Sequence, residues 1–238
     1  MNLLLAVALF AAQSHSLTLE CKFAIEDWIN LNDVYGCASE SVITEPGDRW
    51  EALTKVSGDH LEGKINGDVE TLNIDNAVFH SIPRGIENFF PNLKGLRIVH
   101  AKLRSVESDD MRAFPNLKVL CLWGNELTTL NGNLFENSPE LEVINFGANY
   151  LKHVGPNFFE PLTKLTTAFF DENICINNTK AADVENVKFE VTVKCPPLFN
   201  MVEIALLNGK LATKNDELEN KMKFLENRID ELEMQARK

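Results

Sequence analysis

Between residues 69 and 173 the apolar positions of the chain recur with a fixed period of 24 residues. Five blocks carry them: Val69-Glu-Thr-Leu72-Asn-Ile74, Leu93-Lys-Gly-Leu96-Arg-Ile98, Leu117-Lys-Val-Leu120-Cys-Leu122, Leu141-Glu-Val-Ile144-Asn-Phe146 and Leu165-Thr-Thr-Ala168-Phe-Phe170. A small or amide residue follows each block, and then further apolar positions, as in Ala77, Phe79, Ile82 or Asn149, Leu151, Val154. Within a block the apolar side chains share one face and the intervening residues the other, because side chains alternate along a strand. The pattern predicts one short strand and a return segment per unit. No single unit can bury its own apolar face, so five must stack into a continuous core.

The residues after the blocks sharpen the prediction. Asn125, Asn149 and Asn173 stand where an amide can turn the chain and bond the backbone of adjacent units, which alanine cannot do. Units one and two have Ala77 and Ala101 there, so the ladder is expected to be incomplete at its N-terminal end. The return segments place Phe89 or Phe90, Phe114, Phe135 and Phe158 or Phe159 at related positions, which predicts a stacked aromatic row near the convex side.

The flanks do not share the period. Residues 17–68 are the expected N-terminal cap over the open end of the first unit, with Cys21 and Cys37 near Trp28, Tyr35 and Trp50; residues 174–197, with Cys175 and Cys195, are the expected C-terminal cap. Four cysteines allow three pairings, and the terminal positions favour Cys21–Cys37 and Cys175–Cys195. Cys121 is left over, in an outward strand position, either as a shielded thiol or as an intermolecular link. Residues 1–16 read as a secretory signal peptide, an apolar run too short to span a bilayer followed by a small-residue tract. Secretion suits the cysteines and the sequon at Asn177, an expected glycosylation site.

From residue 198 the pattern changes to heptads. Met201, Asn208, Asn215, Met222, Ile229 and Ala236 occupy a positions, and Ile204, Leu211, Leu218, Leu225 and Leu232 occupy d. Lys214, Lys221 and Arg228 at g stand five residues before Glu219, Glu226 and Glu233 at e, so every such pair attracts in a parallel homodimer. The firmest part of the seam is expected to run through Leu211, Asn215, Leu218, Met222, Leu225, Ile229 and Leu232, beyond Gly209. A related coiled-coil protein is the other possible partner.

A net charge of −12 disfavours nucleic acid and anionic membrane surfaces. No metal-ligand spacing, phosphate loop or nucleophile motif is present, so neither an enzyme nor a cofactor is expected. A binding surface remains, built from outward residues of the strands. Arg97, Val99, Val119, Trp123, Val143, Asn145, Phe169 and Asp171 are expected to form an apolar patch with a polar rim that takes a protein ligand. The alternative is that the cap or the coil of the same chain covers it.

The blocks Leu117-Lys-Val-Leu-Cys-Leu-Trp-Gly-Asn125 and Leu141-Glu-Val-Ile-Asn-Phe-Gly-Ala-Asn149, with cysteine-bearing flanks, resemble the extracellular leucine-rich-repeat superfamily. The expected fold is an α/β solenoid: a leucine-rich-repeat horseshoe with disulfide-bearing caps and a C-terminal coiled-coil helix. The order of leader, short array, cap and coil is similar to the secreted leucine-rich-repeat immune proteins of mosquitoes and related insects. That resemblance implies circulation in hemolymph, dimerisation through the coil and capture of pathogen-bound or complement-like proteins. Fewer repeats and no adjacent cysteine pair before the coil set this chain apart. Two readings follow: a secreted recognition or innate-immune adaptor protein, or a structural adhesion module that organises extracellular matrix.

Overall fold

The computed structural model describes residues 15–44, 51–178, 181–198 and 201–236. The leader up to Ser14, Trp50, Thr179 of the sequon and the side chain of Leu232 lie outside the described residues. The chain divides into two compact units, 1–197 and 198–238.

The first unit is organised by one eight-stranded sheet. Its cap strands are β1 (His15–Trp28), β2 (Leu31–Thr44) and β3 (Glu51–Ser57), and its repeat strands are β4 (Thr71–Asp75), β5 (Gly95–Val99), β6 (Val119–Cys121), β8 (Val143–Asn145) and β10 (Thr167–Phe169). The five repeat strands run parallel in register at the 24-residue spacing, Leu72 beside Leu96, Leu96 beside Leu120, Leu120 beside Ile144. Across the unit, β7 (Thr129–Leu130) and β9 (His153–Val154) form a second, two-stranded ladder. The short helices α1 (Ile86–Phe89) and α2 (Ser108–Arg112) lie in the first two returns, and tight turns replace them later. Every leucine-type position of the blocks from Val69 to Leu141 is buried, which makes the core a continuous stack.

The amide ladder follows the sequence. The side-chain oxygens of Asn125, Asn149 and Asn173 accept from the Leu103, Leu127 and Leu151 amides of the preceding unit at 3.1, 3.0 and 2.9 Å. Their NH2 groups donate to carbonyls of their own and the preceding unit, such as Leu122 and Phe146 for Asn149. Where unit two carries Ala101, the equivalent amide of Phe79 reaches the Ala101 main-chain carbonyl at 2.7 Å instead. The flanking residues His100 and Lys102 both take positive φ, 50° and 57°, and set that peptide. Backbone thus replaces the missing side chain for the Phe79 amide.

A second periodic feature has no counterpart in the residue types. Asn76, His100, Gly124, Ala148 and Glu172, 24 residues apart, all have φ between 50° and 70°. Each turns the chain out of the sheet, although only one is glycine. The aromatic row is shorter than the spacing implies: ring contacts link Phe135, Phe146, Phe158, Phe159 and Phe170, with Phe135 and Phe158 at 5.1 Å, whereas Phe90 and Phe114 are buried in the same core outside this row.

Both disulfides are present, Cys21–Cys37 and Cys175–Cys195, and Cys121 is free. The N-terminal cap does not merely lie over the end of the stack. β2 pairs parallel with β4 through Gly36–Ala38 and Thr71–Asn73, so the cap continues the sheet, and β1 returns antiparallel beside it. β1 begins at His15, inside the stretch read as leader, with Ser16 beside Ala52. At the other end, α3 (Val184–Lys194) buries Val187 and Val191 with Cys195 in the core, and the Asp183 carboxylate caps it through the Asn186 amide.

The second unit is one helix, α4 (Met201–Ala236). Leu211, Leu218, Met222, Leu225 and Ile229 are exposed along it, with Asn215 in the same row.

Candidate functional site

The site arises where the hairpin of β1 and β2 crosses the outward face of the sheet. Two residues, Ile29 and Asn30, close that hairpin, and Asn30 takes φ 62° to make the turn. A bulge between Glu26 and Trp28 bends the tip, and the Asp27 carboxylate accepts the Asp33 amide at 2.9 Å opposite it. The bent tip reaches the far end of the array. Asn30 donates to Thr166 Oγ1 at 3.2 Å and to Glu142 at 3.4 Å. Leu31 and Val34 pack on Val119 and Val143, with Trp28 and Phe169 at the margin of the cluster.

Glycines in the repeat strands make room for the rings. A Cβ on Gly95 would stand 2.8 Å from two ring carbons of Trp28, and one on Gly147 would stand 3.0 Å from Trp123 Cδ1. Each indole rests on bare backbone. Trp28 is further held by its Nε1–H donating to Glu26 at 2.9 Å. Trp123 meets the edge of His100 at 4.7 Å between ring centres, and His100 is itself paired with Asp75 at 2.9 Å.

This corrects the expectation of an open apolar patch. Val99, Val119 and Val143 are buried, the latter two under the hairpin tip, so they are not free surface. The reason is the length of β1 and β2: fourteen residues each, they outrun the pairing with β4 and fold over the sheet. What remains open is a cleft of about 510 Å³ between tip and sheet, lined by Asp27, Trp28, Ile29, Asn73, Arg97, Val119, Cys121, Trp123, Val143, Asn145 and Phe169. Six of the eight expected ligand residues line it, namely Arg97, Val119, Trp123, Val143, Asn145 and Phe169. Val99 and Asp171 do not. The cap residues Asp27, Trp28 and Ile29 were missed, and the signal that marks them is the outward glycine at Gly95, which vacates the seat of an indole.

The polar groups of the cleft are few and fixed. Arg97, from β5, donates to Asn73 Oδ1 of β4 at 3.3 Å. The Asn145 side chain accepts from the Gly147 amide at 2.9 Å. Burial pushes the Cys121 thiol above its usual range, while the Trp123 backbone and Arg97 act weakly in the opposite direction. The protonated thiol is a poor nucleophile at neutral pH. Beside the cleft a 24-residue ladder of charges neutralises itself: Lys94 pairs with Glu70 and Lys118 with Glu142. Among the described residues no group of His, Cys, Asp and Glu is arranged to hold a metal ion, and no helix is long and apolar enough to cross a membrane.

A second cleft, about 480 Å³, lies between α3 and the turn at 154–160. Its cation Lys188 is already paired with Glu185 at 2.8 Å. Asn177 is exposed, as a glycan would require.

Residues 115–167 match the family model for the leucine rich repeat. No curated protein matches the chain significantly. Among solved structures, it is similar to a chain of the Toll–Spatzle complex, described as a hub in Drosophila development and innate immunity. The identity is 18%, over 51% of this chain and 17% of that one, with a TM-score of 0.43. It is also similar to a chain of the TLR13–ssRNA13 complex, 21% identical over 46% of this chain and 19% of that one, with a TM-score of 0.36. The chain spans less than a fifth of the length of either.

Proposed function

We propose that this leucine-rich-repeat chain is a secreted recognition protein of an innate-immune kind, and that it binds a protein ligand at the cleft between its N-terminal hairpin and its repeat sheet. The observation that carries the reading is the cleft itself, which the hairpin tip leaves open and which Trp28, Trp123 and Phe169 line together with the Arg97 guanidinium. Aromatic and arginine side chains are the groups that dominate binding energy at protein interfaces. Two disulfides support an oxidising, extracellular location. The exposed seam of α4, with attracting g and e charges, supports a parallel homodimer that presents two clefts at once, which raises avidity when a target is repeated. The order of leader, repeats, cap and helix supports the immune-adaptor role over catalysis.

The test compares full-length wild type with Trp123→Ala, both immobilised and exposed to extracellular fluid of the source tissue. Proteins held by wild type and lost by the variant are then purified and titrated against both. A loss of at least about tenfold, with secretion and melting intact, is the expected result. Equal retention by both chains would remove the cleft from recognition.

A further inference from the structure

The charge in the cleft is unusual for this molecule. Among the described residues Arg97 is the only cation lining it, half-buried in a chain of net charge −12. Four other cations of the array hold carboxylates: Lys94 with Glu70, Lys118 with Glu142, Arg104 with Glu126, Lys164 with Glu140. Arg97 instead meets neutral groups, the Asn73 carbonyl oxygen and the Cys121 side chain. Among the described residues the one carboxylate on the cleft wall is Asp27, which is exposed, accepts the Asp33 amide and makes no ion pair with Arg97. A half-buried guanidinium bonded only to neutral groups gains by pairing with an anion. Its planar fork is matched to a carboxylate.

Apart from Asp27, Asn73, Cys121 and Asn145, the rest of the wall is apolar. Trp28, Trp123, Phe169, Val119 and Val143 line the cleft together with Arg97, and its volume of about 510 Å³ suits one apolar group with its polar end. We propose that the cleft binds an apolar group that carries a carboxylate, the carboxylate on Arg97 and the apolar body between Trp28, Trp123 and Phe169. The proposal rests on the reading of this face as the recognition site and gives that site its chemistry. Two sources offer the same group: a free amphipathic acid, or the last residue of a partner's chain with its terminal carboxylate.

The experiment uses the full chain and four probes in isothermal titration, with indole fluorescence as a second readout. Decanoate is compared with decanamide, and the peptide Gly-Gly-Phe-Leu with a free C-terminus is compared with its C-terminal amide. At least one acid should bind about tenfold or more tightly than its amide, since a charge-assisted bond is lost in the amide. Arg97→Gln should abolish that ratio and leave amide binding unchanged, and Arg97→Lys should restore part of it. Preference for decanoate identifies a free acid, and preference for the free-ended peptide identifies a chain terminus. Equal binding within both pairs, binding of none of the four, or a ratio that survives in Arg97→Gln with native melting overturns the proposal. If the probes fail while Trp123→Ala still loses its protein partner, the acid chemistry falls and the recognition reading stands. If the acids bind and Trp123→Ala loses no partner, the reverse holds.

Discussion

Replacing Asn149 with alanine tests the physical account of the array at its most determinate point. Asn149 is buried, and its side chain makes four bonds: Oδ1 accepts from Leu127, and Nδ2 donates to Leu122, Phe146 and Gly147. The losses are unequal. The Leu122 and Phe146 carbonyls also accept from Asn125 and Asn173, so they keep a partner. The amide of the fully buried Leu127 loses its side-chain acceptor. One stranded donor costs about 1–3 kcal/mol, and weakening the shared acceptors adds on the order of 1 kcal/mol, so the expected loss is about 2–4 kcal/mol. For a chain of this size each kcal/mol lowers the melting midpoint by about 2–4 °C. Urea melts followed by far-ultraviolet circular dichroism, with disulfides intact, measure it. Asn133→Ala, at an exposed return position, serves as the control and should change stability by less than about 0.5 kcal/mol. Ala101→Asn should give no gain, because the amide it would serve already bonds to the Ala101 carbonyl. A loss below about 1 kcal/mol for Asn149→Ala would refute the claim that the ladder supplies stability rather than shape alone.

Other expectations follow from single contacts. Gly124→Ala puts a Cβ 2.8 Å from the His100 ring at φ 70°, and it should destabilise by about 1–3 kcal/mol in the same melts. Cys21→Ala with Cys37→Ala opens a bridge of sequence separation 16 and should lower stability by about 3 kcal/mol. Burial raises the Asp110 pKa above the ordinary carboxylate value, so the fold prefers the acid form. Its contribution is complete below the unfolded-state pKa and is lost as pH rises through the folded one, so stability relative to Asp110→Asn should fall on going from acid to neutral pH. Alkylation of Cys121 by iodoacetamide at pH 8 should be slower than that of an exposed peptide cysteine; an equal rate would contradict the raised thiol pKa.

The repeat array was legible because its rules are local and recur, the leucine face and the 24-residue step in all five units and the amide in three. A leucine face, an amide three residues past it and a 24-residue step fix strand, turn and register together. The bridging carbonyl of Ala101 was not legible, since it depends on positive φ at His100 and Lys102, which neither residue type announces. The same holds for Ala148 and Glu172 at the strand exits. The site was half legible. Alternation along the strands named Arg97, Trp123, Asn145 and Phe169, yet it treated Val119 and Val143 as surface. Their burial comes from residues more than eighty positions away, and periodicity within the array carries no information about a cap that folds back. Gly95 and Gly147, outward positions without side chains, were the local trace of it.

The claim on which the rest depends is that the hairpin tip lies across the sheet as far as the fifth repeat, leaving one cleft instead of an open face. Spin labels at Asn30→Cys and Thr166→Cys, in a full-length Cys121→Ser background, measure it by double electron–electron resonance. Side-chain contact at 3.2 Å predicts a single narrow distance at the short limit of the method. A broad or long distribution would mean that the tip stands away from the repeats, that Val119 and Val143 are open surface, and that the cleft with its arginine is not a built site.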